Sequence, residues 1–201
     1  MTAGASASRA DGSSLRRMKR ILVIGRSGQL ARALGAADWP QGIALECRGR
    51  AEIDLARPAV ARAAVIAAKP DLVINAAAYT AVDKAESEPE LAFTVNRDGP
   101  AALAEACRAI AAPLIHVSTD YVFDGSKTGP YVEEDPVHPV SVYGASKEAG
   151  ESAIRARLPA HVILRTAWVY APQAQHCAHE ILALRRIDPG RAQDDMGRKR
   201  M

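Results

Sequence analysis

Short apolar runs alternate with longer amphipathic stretches through most of the chain. The first run, Ile-Leu-Val-Ile at residues 21–24, is typical of a strand buried on both faces of a parallel sheet. The predicted strands are 21–24, 43–47, 71–75, 114–118 and 162–166, and the predicted helices are 29–37, 59–68, about 89–110, and 143–158. This alternation predicts an α/β fold: a doubly wound parallel sheet with right-handed crossovers.

Both ends of the chain depart from this pattern. Residues 1–17 are rich in Ala, Ser, Gly and Arg without a helical or strand period, so we expect a disordered extension. An upstream start codon explains it most simply, and an Arg-rich transit peptide is the alternative. Residues 171–201 contain no aromatic residue and no Val. We expect an irregular or divergent tail after one domain at 18–170.

Composition narrows the class of protein. The chain has 201 residues, of which 48% are hydrophobic, enough for one well-buried domain. The net charge of +3 comes from the ends, since residues 1–20 carry +4 and residues 171–201 carry +2. We therefore expect no nucleic-acid partner. No apolar run is long enough to span a membrane, and we expect no membrane association.

The chain has three cysteines, and their spacing fits neither a metal site nor a pair of redox cysteines: they are Cys47, Cys107 and Cys177. An odd number without such a motif favours a reduced, cytoplasmic protein. Cys47 and Cys107 lie in apolar segments and are expected in the core.

Tyr143 and Lys147 lie four residues apart in a predicted helix, so their side chains share one face. A phenol has a reference pKa of about 10, and a neighbouring ammonium lowers it toward the working range. The pair therefore predicts an acid/base device. A surface Tyr beside a solvated Lys is the alternative.

The first strand is followed by Gly25-x-x-Gly28-x-x-Ala31. Glycines allow a tight turn close to a pyrophosphate, and the amino terminus of the next helix favours an anion. The spacing differs from the usual dinucleotide fingerprint, so an ordinary strand–turn–helix junction stays open. Together with Tyr143 and Lys147, the segment favours a dinucleotide site.

Five segments resemble the dTDP-4-dehydrorhamnose reductases, a family of extended short-chain dehydrogenases/reductases. They are residues 25–30, 75–89, 117–125, 142–147 and 164–170, and the resemblance runs from about 18 to 170. It implies a Rossmann-type NAD(P)-binding domain followed by a lobe that grips a nucleotide-sugar. Most of that lobe would be missing here, and we hypothesise a truncated or frameshifted reductase.

The resemblance implies three catalytic residues. Tyr143 would donate a proton to the substrate carbonyl, and Lys147 would lower its pKa and hold the nicotinamide ribose. Thr119 would bond the carbonyl, although a structural Thr at a strand end is the alternative.

The resemblance also implies a cofactor site and NADPH as the cofactor. Its residues would be Gly25, Ser27, Gly28, Gln29, Leu30, Arg48, Asp54, Leu55, Ala76, Ala77, Thr80, Tyr143 and Lys147. Glu46 lies near the distance expected for an acid on the adenosine ribose. Arg48 and Arg50 flank the same turn and suit a 2′-phosphate, so NADPH is expected and NADH stays open, with a solvated turn as the alternative for both arginines. Asp54 is also a candidate cap for the helix that follows.

The implied substrate residues are Val82, Thr119, Asp120 and Trp168, which would contact a dTDP-sugar. Trp168 and Asn96 each have a purely structural alternative. Some relatives carry an acid for Mg²⁺ where this chain has Arg32, and we expect no metal.

Three functions follow from these patterns. The first is NADPH-dependent reduction of the 4-keto group of dTDP-4-dehydro-β-L-rhamnose by a cytoplasmic enzyme, with a homodimer open. The second is an inactive cofactor-binding fragment. The third is a regulatory subunit like that of methionine adenosyltransferase, against which intact Thr119, Tyr143 and Lys147 argue.

Overall fold

The structure is a computed structural model that describes residues 19–167. Five parallel strands form one sheet in the order β2-β1-β3-β4-β5. The strands are β1 (Lys19–Ile24), β2 (Ile43–Arg48), β3 (Leu72–Asn75), β4 (Leu114–Thr119) and β5 (His161–Thr166). The predicted parallel α/β fold is confirmed. The expectations for residues 1–17 and 171–201 and for Trp168 lie outside the described residues.

Six α-helices connect the strands within the described part of the chain. They are α1 (Gln29–Ala36), α2 (Pro58–Ala68), α3 (Val82–Ala85), α4 (Pro89–Phe93), α5 (Gly99–Ala109) and α6 (Val142–Arg157). A π-helical turn (Thr94–Asp98) joins α4 to α5, and a 3₁₀ turn (Asp120–Val122) follows β4. The sequence pattern missed α3, which is only four residues long.

The central strand β1 shows why helices cover both faces of the sheet. Alternate residues of a strand point to opposite faces. Leu22 and Ile24 pack in a core with residues of α2, α5 and α6. Ile21 and Val23 pack on the other side with Ala31 of α1. A run of four apolar residues is needed because neither face of β1 meets water.

The predicted helix over 89–110 is interrupted by the π-helical turn. Proline has no backbone N–H, so Pro100 cannot donate the regular helical hydrogen bond to the carbonyl of Asn96. That carbonyl lies directly against Gly150 of α6, where an added Cβ would overlap it. The turn and the glycine together let α6 approach closely.

The edge strand β5 has apolar side chains that solvent reaches. Val162 is 52% exposed and Leu164 is 47% exposed, and both pair with the neighbouring strand β4. Within residues 19–167, α1 packs on the same side of the sheet in an apolar cluster that reaches Ile115 of β4 and includes no residue of β5. This side of β5 therefore suits a covering element.

We expect Gly150→Ala to destabilise the fold by roughly 1–3 kcal/mol, because its Cβ must displace the Asn96 carbonyl. Ala normally favours a helix over Gly, so the sign is opposite to that of helix propensity. Urea unfolding measures the change. Gly129→Ala is the matched control, since nothing lies within 4 Å of its added Cβ. Equal stability of both variants would contradict the close approach.

Candidate active site

The main cleft opens at the carboxyl ends of the parallel strands and has a volume of about 540 Å³. From β1 the chain first moves outward to β2 and later returns to β3 on the opposite side of β1. The segments after β1 and β3 therefore diverge and leave a crevice, which is where open α/β sheets bind ligands. Both segments line the cleft.

Gly25 makes the turn that leaves β1. Its φ is +118°, in a region that side chains rarely adopt, so only glycine fits without strain. Its N–H donates to the Arg48 carbonyl at 2.8 Å. A Cβ would also lie 3.4 Å from the Ala76 carbonyl oxygen and from Ala31. Gly25 therefore lets the segments that follow β1 and β3 lie close together. It does not line the cleft itself.

The amino terminus of α1 faces the cleft through Ser27, Gly28, Gln29 and Leu30. Gly28 caps the helix without a side-chain hydrogen bond, and Arg32 N–H donates the first helical bond to its carbonyl. The first amides of a helix have no acceptor inside it and carry its positive dipole end. This terminus therefore has the geometry that a pyrophosphate requires, and Ser27, Gly28, Gln29 and Leu30 stay predicted cofactor residues.

The rim of the cleft after β3 is built from small residues. Ala76, Ala77, Ala78 and Thr80 line it, followed by Val82 at the start of α3. Small side chains leave room for a flat ligand to lie along the backbone. Ala76, Ala77, Thr80 and Val82 were predicted from the sequence, whereas Ala78 was missed.

The structure brings Thr119, Tyr143 and Lys147 into this same cleft, together with Asp120. Thr119 ends β4, and its hydroxyl donates to Asp120 Oδ1 at 3.0 Å. The two α6 residues follow the cap Ser141, whose hydroxyl accepts from the backbone. Thr119 lies 24 positions before Tyr143, and Ser27 lies 116 positions before it, so the sheet topology rather than local sequence brings these residues together.

The pKa of Tyr143 differs from the expectation. Burial raises it above the ordinary value of 10.0, and this effect exceeds the lowering by a hydrogen bond with Thr119. The charge of Asp120 raises it further. Tyr143 is therefore a protonated phenol near neutral pH, and Lys147 is not among the groups that lower its pKa, contrary to the expectation. A protonated phenol is the form that donates a proton.

Lys147 is not a solvated charge, since it is only 2% exposed. Its Nζ donates to the Val117 carbonyl at 2.7 Å and lies 3.4 Å from Nε2 of His116. Burial lowers the pKa of Lys147 from 10.5 to about 8, against the opposing effect of Glu151. The amine therefore titrates close to the working pH range.

A buried ion-pair cluster anchors α6 behind the cleft. Glu151 is fully buried and accepts from Arg165 of β5 at 2.7 Å and from Arg155 at 2.5 Å. Burial is the largest single effect and raises the pKa of the Glu151 carboxyl, but hydrogen bonds with Arg165 and Ser118 and the charges of Arg165 and Arg155 together hold the pKa below the ordinary value of 4.5. Arg165 also lies over the Phe123 ring at 4.9 Å. The cluster ties α6 to β5 and to the loop after β4.

Arg48, Asp54 and Leu55, predicted as cofactor residues, lie outside the lining of this cleft. Arg48 pairs with Glu46 at 2.7 Å, so the two candidates for the ribose and the 2′-phosphate neutralise each other. The Leu55 side chain is 4% exposed and packs against Gly99 in the core. Leu55 would therefore contact a cofactor only through its backbone.

Asp54 does not cap the helix that follows it. The cap of α2 is Arg57, which makes no side-chain cap bond, and Pro58 takes the first helical position. Asp54 instead accepts from the Ala56 N–H at 2.9 Å and pairs with Arg50 at 3.4 Å. It therefore stabilises its own turn, which local spacing did not reveal.

Asn96 has a structural role in this fold. It is 1% exposed, and its amide exchanges two hydrogen bonds with the Tyr79 backbone at 2.8 and 3.0 Å. It also donates to Ser146 of α6 at 3.0 Å. These bonds occupy the side chain and hold the rim after β3 against α6.

Sequence reasoning missed several residues that line the cleft. They are Ala78, Val117, Ser118, Tyr121 and Thr166. Ser118 and Thr166 stand at or next to the carboxyl ends of β4 and β5, so the strand-end rule used for Thr119 also applies to them.

No group of three or more His, Cys, Asp or Glu residues within 19–167 is arranged to hold a metal ion. In the same part of the chain, no helix is long and apolar enough to cross a membrane.

The fold and cleft define a Rossmann-type dinucleotide-binding domain with a Tyr-x-x-x-Lys pair. The family described as RmlD substrate binding domain matches residues 18–190, and the chain belongs to this family.

Named relatives agree with this assignment. The chain is 50% identical over 165 residues to a dTDP-4-dehydrorhamnose reductase of Sinorhizobium fredii, covering 82% of this chain and 55% of that protein. The structure matches that of a Clostridium acetobutylicum dTDP-4-dehydrorhamnose reductase with a TM-score of 0.76 and 35% identity, covering 82% of this chain and 59% of that one.

A second solved structure, from Bacillus anthracis, is a dTDP-4-dehydrorhamnose reductase in complex with NADP. It matches with a TM-score of 0.76 and 31% identity over 83% of this chain and 59% of that one. The chain spans about half the length of the curated relatives it matches.

We expect Gly28→Asp to weaken NADPH binding about tenfold or more, because a carboxylate would compete with the pyrophosphate at the α1 terminus. Fold stability should be kept, since nothing lies within 4 Å of the added Cβ and Asp is a good cap. Fluorescence titration measures binding, and Gly28→Asn controls for shape without charge. Equal weakening by both variants would argue against an anion site.

We expect Glu151→Gln to destabilise the fold by about 3 kcal/mol at pH 7, because it removes the anion from a buried ion-pair cluster. The folded-state pKa of Glu151 is depressed, so its contribution is present above 4.5 and falls as pH drops through the folded value. Urea unfolding at pH 7 and pH 4 should show the difference shrinking. The exposed Glu134→Gln is the control, and a pH-independent difference would contradict the assignment.

Proposed function

We propose that this chain is the NADPH-binding, catalytic part of a dTDP-4-dehydrorhamnose reductase. The reaction is reduction of the 4-keto group of dTDP-4-dehydro-β-L-rhamnose to dTDP-L-rhamnose. The observation that carries the proposal is the convergence of Thr119, Tyr143 and Lys147 with the α1 terminus in one cleft of a family member.

Each of the three residues has a role that its surroundings support. Thr119 hydrogen-bonds the substrate carbonyl and orients it, exchanging its bond to Asp120 for one to the ligand. Tyr143 donates its proton to the carbonyl oxygen as the carbon is reduced, since its phenol is protonated near neutral pH. Lys147, buried beside β4 where its Nζ donates to the Val117 carbonyl, holds the ribose hydroxyls of the cofactor.

When bound, NADPH supplies the hydride for this reduction. Its pyrophosphate would lie on the amides of Ser27, Gly28 and Gln29, and its remainder along the small residues after β3. The complex of the Bacillus anthracis relative with NADP supports this cofactor. NADH is the alternative, because Arg48 is paired with Glu46 rather than free for a 2′-phosphate.

The sugar would occupy the outer part of the cleft, near Val82, Thr119 and Asp120. Trp168 stays a predicted contact from the sequence. We include a cytoplasmic location in the proposal, which the free thiols of Cys47 and Cys107 suit. A homodimer also stays part of it, and the exposed apolar side of β5 suits such an association.

The second candidate is a cofactor-binding chain without turnover. The exposed Val162 and Leu164 favour it, because they mark a side of β5 that a further element would cover. A regulatory subunit is less well supported, since the complete catalytic set lies in one cleft.

We expect the purified chain to oxidise NADPH only when dTDP-4-dehydro-β-L-rhamnose is added. Tyr143→Phe should lower kcat by about a thousandfold or more while leaving the NADPH affinity nearly unchanged, because only the proton donor is lost. Spectrophotometric turnover and fluorescence titration measure the two effects.

The control is Tyr131→Phe, which removes the hydroxyl of a tyrosine in the loop after β4 that does not line the cleft. If the chain bound NADPH but did not oxidise it when the sugar was added, the result would contradict the reductase function and favour the cofactor-binding chain without turnover. Turnover that survives in Tyr143→Phe would remove Tyr143 as the proton donor.

A further inference from the structure

Three buried side chains form a continuous chain that ends on the catalytic lysine. The Ala77 N–H donates to Asn75 Oδ1 at 3.2 Å, and Asn75 Nδ2 lies 3.0 Å from His116 Nδ1. The other ring nitrogen, Nε2, lies 3.4 Å from Lys147 Nζ. Asn75 and His116 are fully buried, and Lys147 is 2% exposed. Water therefore does not compete for these bonds.

The direction of each bond follows from the chemistry of its first member. A backbone N–H can only donate, so it requires the carbonyl oxygen of the Asn75 amide. The NH₂ group of Asn75 must then face the ring and donate to it. His116 Nδ1 can accept that bond only if it carries no proton. A neutral ring therefore carries its proton on Nε2.

This tautomer has a consequence for Lys147, because the Nε2–H points at its amine. An ammonium group has only donors and gains nothing from a facing N–H. A neutral amine has a lone pair that accepts the bond. We propose that Asn75 and His116 are positioning residues that turn an imidazole N–H toward Lys147 and so favour its neutral form.

The pKa shifts of His116 and Lys147 agree with a neutral imidazole and a lysine that favours its neutral form. Burial and the charge of Lys147 hold the pKa of His116 well below its ordinary value, so the ring is neutral. The pKa of Lys147 is lowered to about 8, first by burial, whereas Glu151 on the same helix raises it. The other titratable or charged groups of this region are Tyr143 on α6, Asp120 after β4, and Arg165, which is paired with Glu151.

The inference rests on the proposed function for its catalytic meaning. In the proposed function Lys147 holds the ribose hydroxyls of the cofactor, and its ammonium form has the most donors for that contact. Turnover then falls as pH rises through the pKa of Lys147, and the Asn75–His116 chain sets where that fall occurs. The bond geometry itself is independent of turnover.

The first test reads the tautomer in the whole 201-residue chain, without cofactor, by ¹⁵N NMR of labelled histidine rings. We expect one histidine to remain neutral with its proton on Nε2 from pH 5 to pH 9, and its signal to vanish in His116→Gln. A proton on Nδ1, or titration of this ring near its ordinary pKa of 6.5, would overturn the proposal. Absence of turnover would refute the reductase function and leave this result intact.

The second test uses an isosteric substitution to reverse the direction of the hydrogen bonds that join Asn75, His116 and Lys147. Asn75→Asp keeps the acceptor for Ala77 but replaces the NH₂ donor by a carboxylate oxygen. His116 should then carry its proton on Nδ1 and present an acceptor to Lys147. We expect the pKa of Lys147, followed by ¹³C NMR of labelled lysine, to rise by roughly one pH unit or more. In an active enzyme the alkaline limb of kcat should move upward with it.

His116→Phe separates the bonds from the added charge, because it removes both ring nitrogens and keeps a planar ring. Asn75→Asp should raise the pKa of Lys147 much less in this background, as a double-mutant cycle measures. If the pKa of Lys147 rose equally with and without the imidazole, the charge of the added carboxylate alone would explain the rise. That result would overturn the proposal. The wild-type tautomer decides the question if the Phe variant does not fold.

Discussion

The close approach of α6 to its neighbours is the constraint on which the site depends. Two glycines make it possible: a Cβ at Gly144 would overlap the Tyr121 carbonyl, and one at Gly150 would overlap the Asn96 carbonyl. Both contacts are with backbone, which cannot move aside as a flexible side chain can. Because α6 carries Tyr143 and Lys147, this packing fixes how deeply the two side chains enter the cleft.

Burying the charged groups of Lys147 and Glu151 costs free energy, and specific partners in the fold offset this cost. Lys147 and Glu151 are one turn apart on the buried face of α6, and each would be costly without partners. Glu151 is matched by two arginines. Lys147 receives only a carbonyl and a neutral imidazole, so its charged form is held less firmly. The same helix thus carries a carboxylate whose charged form is favoured and a lysine whose pKa is lowered to about 8.

The cleft joins two kinds of function within one sheet. The α1 terminus and the small residues after β3 suit an extended dinucleotide, while the ends of β4 and α6 carry the proposed reacting groups. The exposed Val162 and Leu164 lie on β5, at the edge next to these groups. An element covering that edge would also border the cleft, because Thr166 of β5 lines it.

The sequence by itself determined the features that depend on near neighbours. Apolar runs and their spacing predicted all five strands, and the four-residue spacing of Tyr143 and Lys147 placed both on one helix face. Gly25 and Gly28 indicated the turn and the free helix terminus because each acts through its own backbone. These features need only local geometry, which sequence patterns record directly.

Only the tertiary structure decided which partners the polar residues choose. Arg48 forms an ion pair with Glu46, and Asp54 accepts a hydrogen bond within its own turn, although the spacing of both residues suited a cofactor equally well. His116 lies in an ordinary-looking strand, and its tautomer depends on Asn75, 41 residues away. A hydrogen bond selects its partner by distance and direction in space, and these are set when the sheet brings separate strands together.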